Sequence, residues 1–172
     1  MERWDIYDAC RNRKGYQVEK GTSLKDGEYH LVVHVCVFNN QNEMLIQTRK
    51  TDKPNWPGMW DFSSGGAAIS GENSNIAAER ELREELSIIV PLSDARPVIT
   101  VHFDDGFDDY YVVEIDDETA DRIKFEKEEI DEIMWASHEK INEMIDNGTC
   151  GILKSFIGVI FDMRKQRGNR SN

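Results

Sequence analysis

The chain has 172 residues and a formal net charge of −12, from 33 Asp and Glu against 21 Lys and Arg. This length fits one domain, residues 1–172, and leaves little room for two. Because an acidic excess repels polyanions and anionic surfaces at long range, we expect neither a nucleic-acid polymer nor a membrane as partner. A small anionic substrate remains compatible if a divalent cation lies between it and the carboxylates.

The cysteines and the N-terminus indicate the cellular compartment. Cys10, Cys36 and Cys150 are odd in number and widely spaced, which is typical of reduced thiols. Charges stand where a signal peptide needs an apolar run, and no stretch approaches about 18 apolar residues. We therefore expect a cytoplasmic protein. The oligomeric state is left open, with a homodimer as one option.

The N-terminal third predicts two hairpins. Segments 4–8 and 15–18 flank the turn RNRKG and form the first, within about residues 1–28. The β-branched run His30–Phe38, the polar turn NNQN and residues 44–48 form the second, which we place at the centre of the fold. A loop rich in Pro, Gly and Ser follows and should contain a short strand near 60–62.

Residues 73–86 carry the clearest helical pattern in the chain. Asn73 or Ser74 can cap the helix, and Ala78, Leu82 and Leu86 form an apolar stripe at four-residue spacing.

The remaining elements complete a mixed α/β pattern. Residues 98–103, the turn DDGFDD and residues 110–115 predict a third hairpin, and Ile130–Ala136 predicts a strand. Helices are expected at about 138–145 and 152–164, the latter within a C-terminal segment of about 150–165. Strands outnumber helices, which favours a mixed sheet with helices on both faces.

Three carboxylates share one face of the long helix. Glu81, Glu84 and Glu85 lie opposite the apolar stripe, and like charges at this spacing destabilise a helix by roughly 0.2–0.5 kcal/mol per pair. A hard divalent cation such as Mg²⁺ would reverse the sign of this effect. The alternative is a solvated charged helix with a favourable Glu79 and Arg83 pair.

The helix belongs to a longer pattern that decides between these interpretations. From Gly66 to Ile88 the chain follows G-x5-E-x7-R-E-U-x-E-E-x-G-U, where U is aliphatic, at eight of nine defined positions. The pattern resembles the Nudix box, residues 66–88, and implies a single Nudix domain: an α/β/α sandwich with a mixed β-sheet and a catalytic loop-helix-loop. Ser87 replaces the last glycine, so the serine costs about 1 kcal/mol of strain or the helix ends differently.

The resemblance assigns roles by position. In Nudix enzymes the matching glutamates bind one to three Mg²⁺ or Mn²⁺ ions, often with one backbone carbonyl, and a Glu and Arg pair ties the loop to the helix. The metal-binding positions are Gly65, Glu81, Glu84 and Glu85, and the structural positions in the motif are Gly66, Glu72 and Arg80.

Further site residues come from two other segments. The stretch EKEEIDEIMW resembles a family loop that carries an acidic residue, and Glu129 aligns with it as a catalytic candidate, with Glu126 and Glu128 as alternatives. Arg49 and Lys53 stand where relatives place cations against the substrate diphosphate, and exposed basic residues are the alternative.

The segments WDIYD, EYHLVVHV and TRKTDKPNWPGMW resemble the Nudix subfamily related to isopentenyl-diphosphate isomerase. The catalytic cysteine and the metal-binding histidine of that subfamily align with Gly65 and Ala67, and only His30 matches one of its other ligands. Without a thiol there is no evident acid and base pair for isomerisation.

We therefore expect a metal-dependent hydrolase that cleaves a diphosphate linkage in a nucleoside diphosphate derivative or a related small phosphorylated metabolite. Three alternatives are an isomerase-like enzyme, a catalytically inactive nucleotide-binding module and an RNA-decapping enzyme. The box glutamates argue against the second, and the net charge argues against the third.

Overall fold

The computed structural model describes residues 2–52 and 56–166, so Lys53 lies outside the described part. Within these ranges the chain forms nine strands and four helices. In chain order they are β1 (Arg3–Tyr7), β2 (Arg13–Glu19), β3 (His30–Phe38), β4 (Met44–Arg49), β5 (Trp60–Asp61), β6 (Ser64–Ala67), α1 (Ser74–Leu86), β7 (Ile99–Phe103), β8 (Gly106–Glu114), α2 (Asp117–Ala120), β9 (Ile130–Ala136), α3 (His138–Asp146) and α4 (Lys154–Gln166).

The strands form a small N-terminal hairpin and one large mixed sheet. β1 and β2 pair with each other, and the large sheet runs in the order β5-β4-β3-β8-β7. β6 also pairs with β3, and β9 also pairs with β4. β3 and β8 are parallel over their full nine-residue length, whereas the other pairings are antiparallel.

Two apolar cores lie on opposite faces of this sheet because the side chains of a strand alternate. Val33, Val35 and Val37 of β3 pack in the cluster that contains the apolar stripe of α1. Cys36 and Phe38 pack instead in the cluster that contains α3 and α4. The predicted α/β/α sandwich with a mixed sheet is confirmed.

The ends of α1 show how local sequence sets its length. The Asn73 side chain accepts a hydrogen bond from the Ile76 backbone N–H, which satisfies one free donor of the first turn. Ser87 adopts the left-handed conformation at φ 57°, and its N–H bonds back to the Arg83 carbonyl. The helix therefore keeps the exit that glycine would favour, at a cost of about 1 kcal/mol.

Several predicted elements need correction. The hairpin of β3 and β4 is joined by one residue pair, Phe38 with Met44, because β6 takes the rest of that edge of β3. The turn predicted over DDGFDD is shorter, since β8 begins at Gly106. The last helix begins at Lys154, because the Cys150 backbone bridges to Trp60 instead.

None of the described helices is long and apolar enough to cross a membrane.

Candidate active site

A cavity of about 880 Å³ opens beside α1, against β3, β6 and β8 and the start of α4. Among the described residues its lining includes eight acidic side chains and three Lys or Arg side chains. The acids are Glu2, Asp61, Glu81, Glu84, Glu85, Asp108, Glu126 and Glu129, and the bases are Lys20, Arg49 and Arg80. A phosphorylated ligand would therefore need a cation to enter this site.

Glu81 lies buried on the cavity side of α1, against the glycine loop. Its carboxylate accepts a hydrogen bond from the Arg80 guanidinium at 2.8 Å. A Cβ atom on Gly66 would overlap this carboxylate, so the motif glycine makes room for the acid. Burial raises the pKa of the Glu81 carboxyl, although Arg80 opposes the shift.

Glu85 follows one turn later, and its hydrogen-bond donors within residues 2–52 and 56–166 are neutral. The Gly65 N–H donates to it at 3.1 Å and the Gln47 side-chain amide at 3.5 Å. Burial, and next the charge of Glu81, raise the pKa of Glu85 to about 7. The ionised form of this side chain is thus poorly compensated by the protein.

Glu84 differs from its two neighbours because it is exposed. Its carboxylate accepts a hydrogen bond from Arg80 at 3.1 Å. In residues 2–52 and 56–166, no three acidic, histidine or cysteine side chains are gathered closely enough to hold a metal ion. In this arrangement Arg80 engages Glu81 and Glu84, while Glu85 turns to the Gly65 amide.

The residues nevertheless fit a hard divalent cation. Glu81 and Glu85 are oxygen donors one helical turn apart, and each is held in a cavity that raises its pKa. A divalent cation prefers such oxygen ligands and relieves the repulsion between them. A rotation of these side chains away from their present partners would be needed to gather them.

Glu72 and Arg80 form a two-pronged ion pair, with Nε to Oε1 at 2.8 Å and Nη2 to Oε2 at 3.1 Å. The same guanidinium donates to the Ala67 carbonyl at 3.1 Å, and the Glu72 carboxylate accepts from the Ile69 N–H. The pair therefore fixes the loop between β6 and α1, which is the contact that the motif spacing predicts.

The loop before β9 is tied to the C-terminal end of α1. The Glu126 N–H donates to the Glu85 carbonyl at 2.8 Å, and Glu129 lies one turn later in the same loop. Glu126 and Glu129 line the cavity, whereas Glu128 does not. The charge of Glu129 adds to the rise in the pKa of Glu85, after burial and Glu81.

Arg49 lines the cavity from the end of β4. Its guanidinium lies 3.8 Å from the carboxylate of Asp61, which also lines the cavity. Lys53, the other cation predicted to contact substrate, lies outside the described residues.

The sequence interpretation missed a polar cluster on the cavity floor. His34 stacks on the Tyr110 ring with centroids 4.8 Å apart, and its Nε2 atom lies 3.4 Å from the Asp108 carboxylate. His34 and Tyr110 are direct partners in the β3 and β8 register. Alternation along β3 could have placed His34 on one face, but the parallel partner that completes the cluster is about 75 residues away in sequence.

The geometry at position 65 bears on the isomerase alternative. A Cβ atom on Gly65 would lie 2.7 Å from the Val33 carbonyl oxygen and 2.9 Å from the His34 Nδ1 atom. Any side chain here, a cysteine included, would require the backbone of β3 to shift. His30 stacks on Trp4, packs edge-on against Phe103 and does not line the cavity.

Fold and site together define a class: an α/β/α protein with an acidic cavity on a loop-helix-loop motif. The NUDIX domain family matches residues 28–153, and the chain belongs to this family. The family resemblance predicted from the box is confirmed. Enzymes of this family hydrolyse pyrophosphate bonds and generally use divalent metals such as Mg²⁺ or Mn²⁺.

Individual relatives agree with this assignment. An uncharacterized Nudix hydrolase of Listeria monocytogenes is 38% identical over 164 residues, which cover 95% of this chain and 96% of the relative. An isopentenyl-diphosphate Delta-isomerase of Halorhodospira halophila is 34% identical over 92 residues, 54% of this chain and 53% of that protein. A crystal structure of a Deinococcus radiodurans protein shares the fold with a TM-score of 0.75 and 26% identity, and it covers 92% of this chain and 99% of its own.

Proposed function

We propose that this protein hydrolyses a diphosphate linkage in a nucleoside diphosphate derivative or a related small phosphorylated metabolite, with Mg²⁺ or Mn²⁺ as cofactor. One observation carries the proposal. Glu81 and Glu85 stand one turn apart on the wall of the acidic cavity, and the protein compensates the charge of Glu85 poorly. This arrangement favours a ligand that brings its own positive charge.

In this proposal Glu81 and Glu85 bind the metal ion, and the Gly65 carbonyl oxygen is a further ligand. Glu84 is a ligand at the exposed rim of the cavity. A bound divalent ion supplies charge neutralisation at the diphosphate oxygens. Gly66 keeps the Glu81 carboxylate close to the loop because it lacks a side chain.

Two other groups complete the chemistry. Glu129 sits in the loop tied to Glu85 and lines the same cavity, so it is positioned to take the proton of the attacking water. Arg49, at the end of β4, lines the same cavity and in this proposal contacts a phosphate oxygen.

The test is a substrate panel of nucleotide sugars, dinucleoside polyphosphates and nucleoside triphosphates, with phosphate and pyrophosphate release measured with Mg²⁺, with Mn²⁺ and after chelation. We expect metal-dependent release from at least one compound. No release from any compound with either metal would contradict the proposal. A Glu129→Gln variant should then lose turnover while keeping Mg²⁺ affinity, and equal turnover would exclude Glu129 as the base.

A further inference from the structure

Two neighbouring serines, Ser63 and Ser64, lie where the chain enters β6, and both are buried. The Ser63 hydroxyl donates to the Leu45 carbonyl at 2.5 Å and accepts a hydrogen bond from the Val37 N–H at 2.8 Å. The Ser64 hydroxyl oxygen is also buried, but in the described part of the chain it has no hydrogen-bond partner. Burying an unpaired hydroxyl is costly, so Ser64 differs from its neighbour in needing an explanation beyond the fold.

The register of β6 turns the Ser64 side chain toward α1. Ser64 is paired with Val35 of β3, and the Val35 side chain packs in the core that contains the apolar stripe of α1. Directly paired residues of antiparallel strands have their side chains on the same face of the sheet. Ser64 therefore faces α1, and so does position 66, two residues later.

The spacing along β6 matches the spacing of the carboxylates on α1. Gly66 lies against Glu81, because a Cβ atom on this glycine would overlap the Glu81 carboxylate. Residues two apart on a strand are separated by about 6.6 Å, and residues four apart on a helix by about 6 Å. Ser64 therefore stands opposite Glu85, as Gly66 stands opposite Glu81. The Gly65 N–H, which donates to the Glu85 carboxylate at 3.1 Å, agrees with this placement.

The Ser64 hydroxyl is close enough to the Glu85 carboxylate to act on its charge. Burial is the main cause of the raised pKa of Glu85, and the Ser64 hydroxyl opposes the rise, ahead of the Gly65 N–H. The N–H groups of Gly65 and Gln47 both donate to the Oε2 atom of this carboxylate. The serine thus places a further donor beside Glu85, and this donor is unpaired in the present arrangement.

We propose that Ser64 is a positioning residue, whose hydroxyl donates a hydrogen bond to Glu85 when that carboxylate binds a divalent cation. This assignment rests on the proposed function, in which Glu85 is a metal ligand. Carboxylates that bind metal ions are themselves held by hydrogen bonds, and losing such a partner lowers metal affinity about ten- to a hundredfold. Ser64 acts through Glu85 and has no contact with the substrate in this proposal.

The experiment compares Ser64→Ala with wild type and with Ser63→Ala, the matched control next to it. Electron paramagnetic resonance measures the affinity for Mn²⁺, and thermal unfolding without metal measures stability. We expect Ser64→Ala to bind Mn²⁺ about tenfold more weakly, with an equal or higher melting temperature because an unpaired hydroxyl is removed. Ser63→Ala should show the reverse: a lower melting temperature, because the Leu45 carbonyl and the Val37 N–H lose their partner, and Mn²⁺ affinity within about twofold of wild type.

Kinetics give a second measurement on the same variants. In Ser64→Ala the Mg²⁺ concentration for half-maximal turnover should rise about tenfold, while kcat at saturating Mg²⁺ changes less than about threefold. Equal Mn²⁺ affinity in Ser64→Ala and wild type, or a melting temperature lowered as far as in Ser63→Ala, would overturn the role of Ser64. The proposed function fails separately if wild type binds Mn²⁺ but hydrolyses nothing in the substrate panel, whereas a wild type that binds no Mn²⁺ would overturn both.

Discussion

Two carboxylates near α1, those of Asp109 and Glu85, differ in how far their negative charge is compensated by neighbouring residues. Asp109 on β8 is fully buried, and it accepts hydrogen bonds from the Arg11 guanidinium at 2.9 Å and the Thr100 hydroxyl at 2.6 Å. The hydroxyl of Ser74, the first residue of α1, donates to the same carboxylate. Glu85 lies near the other end of the helix; among the described residues it accepts hydrogen bonds from the Gly65 N–H and the Gln47 amide, both neutral, and its pKa is raised to about 7.

This difference in charge compensation distinguishes a carboxylate that stabilises the fold from one that is a candidate for function. A buried charge is tolerated when a cation and hydrogen bonds compensate it, and otherwise it tends to bind a proton. The Asp109 network joins the N-terminal hairpin, β8 and the start of α1, so it stabilises the fold. The charge of Glu85 has no such compensation among the described residues, and a strongly raised pKa in a cavity marks a carboxylate as a candidate for function.

The largest effect should come from removing the uncompensated carboxylate. We expect Glu85→Gln to reduce kcat about a hundred- to a thousandfold, because several kcal/mol of charge stabilisation is lost with the metal ligand. The metal-free variant should be as stable as wild type or more stable, since a poorly compensated charge is removed. Turnover of the best panel substrate and thermal unfolding without metal check both parts.

Glu118→Gln is the matched control for this variant. Glu118 lies on α2, is 70% exposed and does not line the cavity, so the same change in charge should leave turnover unaltered. Wild-type activity in Glu85→Gln would place the metal elsewhere.

Arg80 bonds both to Glu72, which fixes the loop before α1, and to Glu81 in the cavity. Removing Arg80 should have the next largest effect. Arg80→Ala leaves the mostly buried Glu72 and Glu81 without their cation, and we expect a loss of about 3 kcal/mol at most in the free energy of unfolding in urea. Metal affinity should fall only modestly. Arg83→Ala, at a site 62% exposed on the same helix, should change stability by less than about 0.5 kcal/mol.

An unchanged melting temperature in Arg80→Ala together with abolished turnover would contradict this structural role. Arg80 would then be a contact of the substrate or the transition state.

The Asp109 network gives the converse prediction. Arg11→Met removes the cation from a fully buried carboxylate, so we expect stability to fall by about 2 kcal/mol, less than for a fully buried pair because Arg11 is 34% exposed. Turnover per folded molecule should remain within about twofold. Arg122→Met, 75% exposed on α2, serves as the control. A selective loss of kcat in Arg11→Met would show that the network also acts on the site.

Elements with a complete local signal could be predicted from sequence. The helix pattern and the Asn73 cap anticipated α1, and the strand Ile130–Ala136 has the bounds expected. β6 has the sequence SGGA, which is a poor strand signal, and it becomes a strand through its pairing with β3. Since that partner lies about 30 residues away, local propensity could not reveal it.

The site divides in the same way. The box motif identified the helix carboxylates and the loop glycines because their spacing is local. Lys20, His34 and Asp108 reach the cavity through the N-terminal hairpin and the parallel pairing of β3 with β8, so only the fold brings them together. Ser87 shows a further limit, because the motif demands glycine there and the chain keeps the same helix exit with a serine.

The smallest expected effect concerns pH and tests the state of Glu85 directly. Its folded pKa of about 7 lies above the ordinary value of 4.5, so the metal-free fold favours the protonated acid and loses that stability as pH rises from about 4.5 to about 7. A metal ion needs the ionised form, whose fraction rises from about a tenth at pH 6 to about nine tenths at pH 8 for such a pKa. Apparent Mg²⁺ affinity should therefore increase about tenfold over this range. The rise in melting temperature on adding Mg²⁺ should be larger at pH 8 than at pH 6, and Glu85→Gln should lose most of that difference. A pH-independent effect of Mg²⁺ in wild type would show that Glu85 is already ionised at pH 6 and that its charge is compensated as fully as that of Asp109.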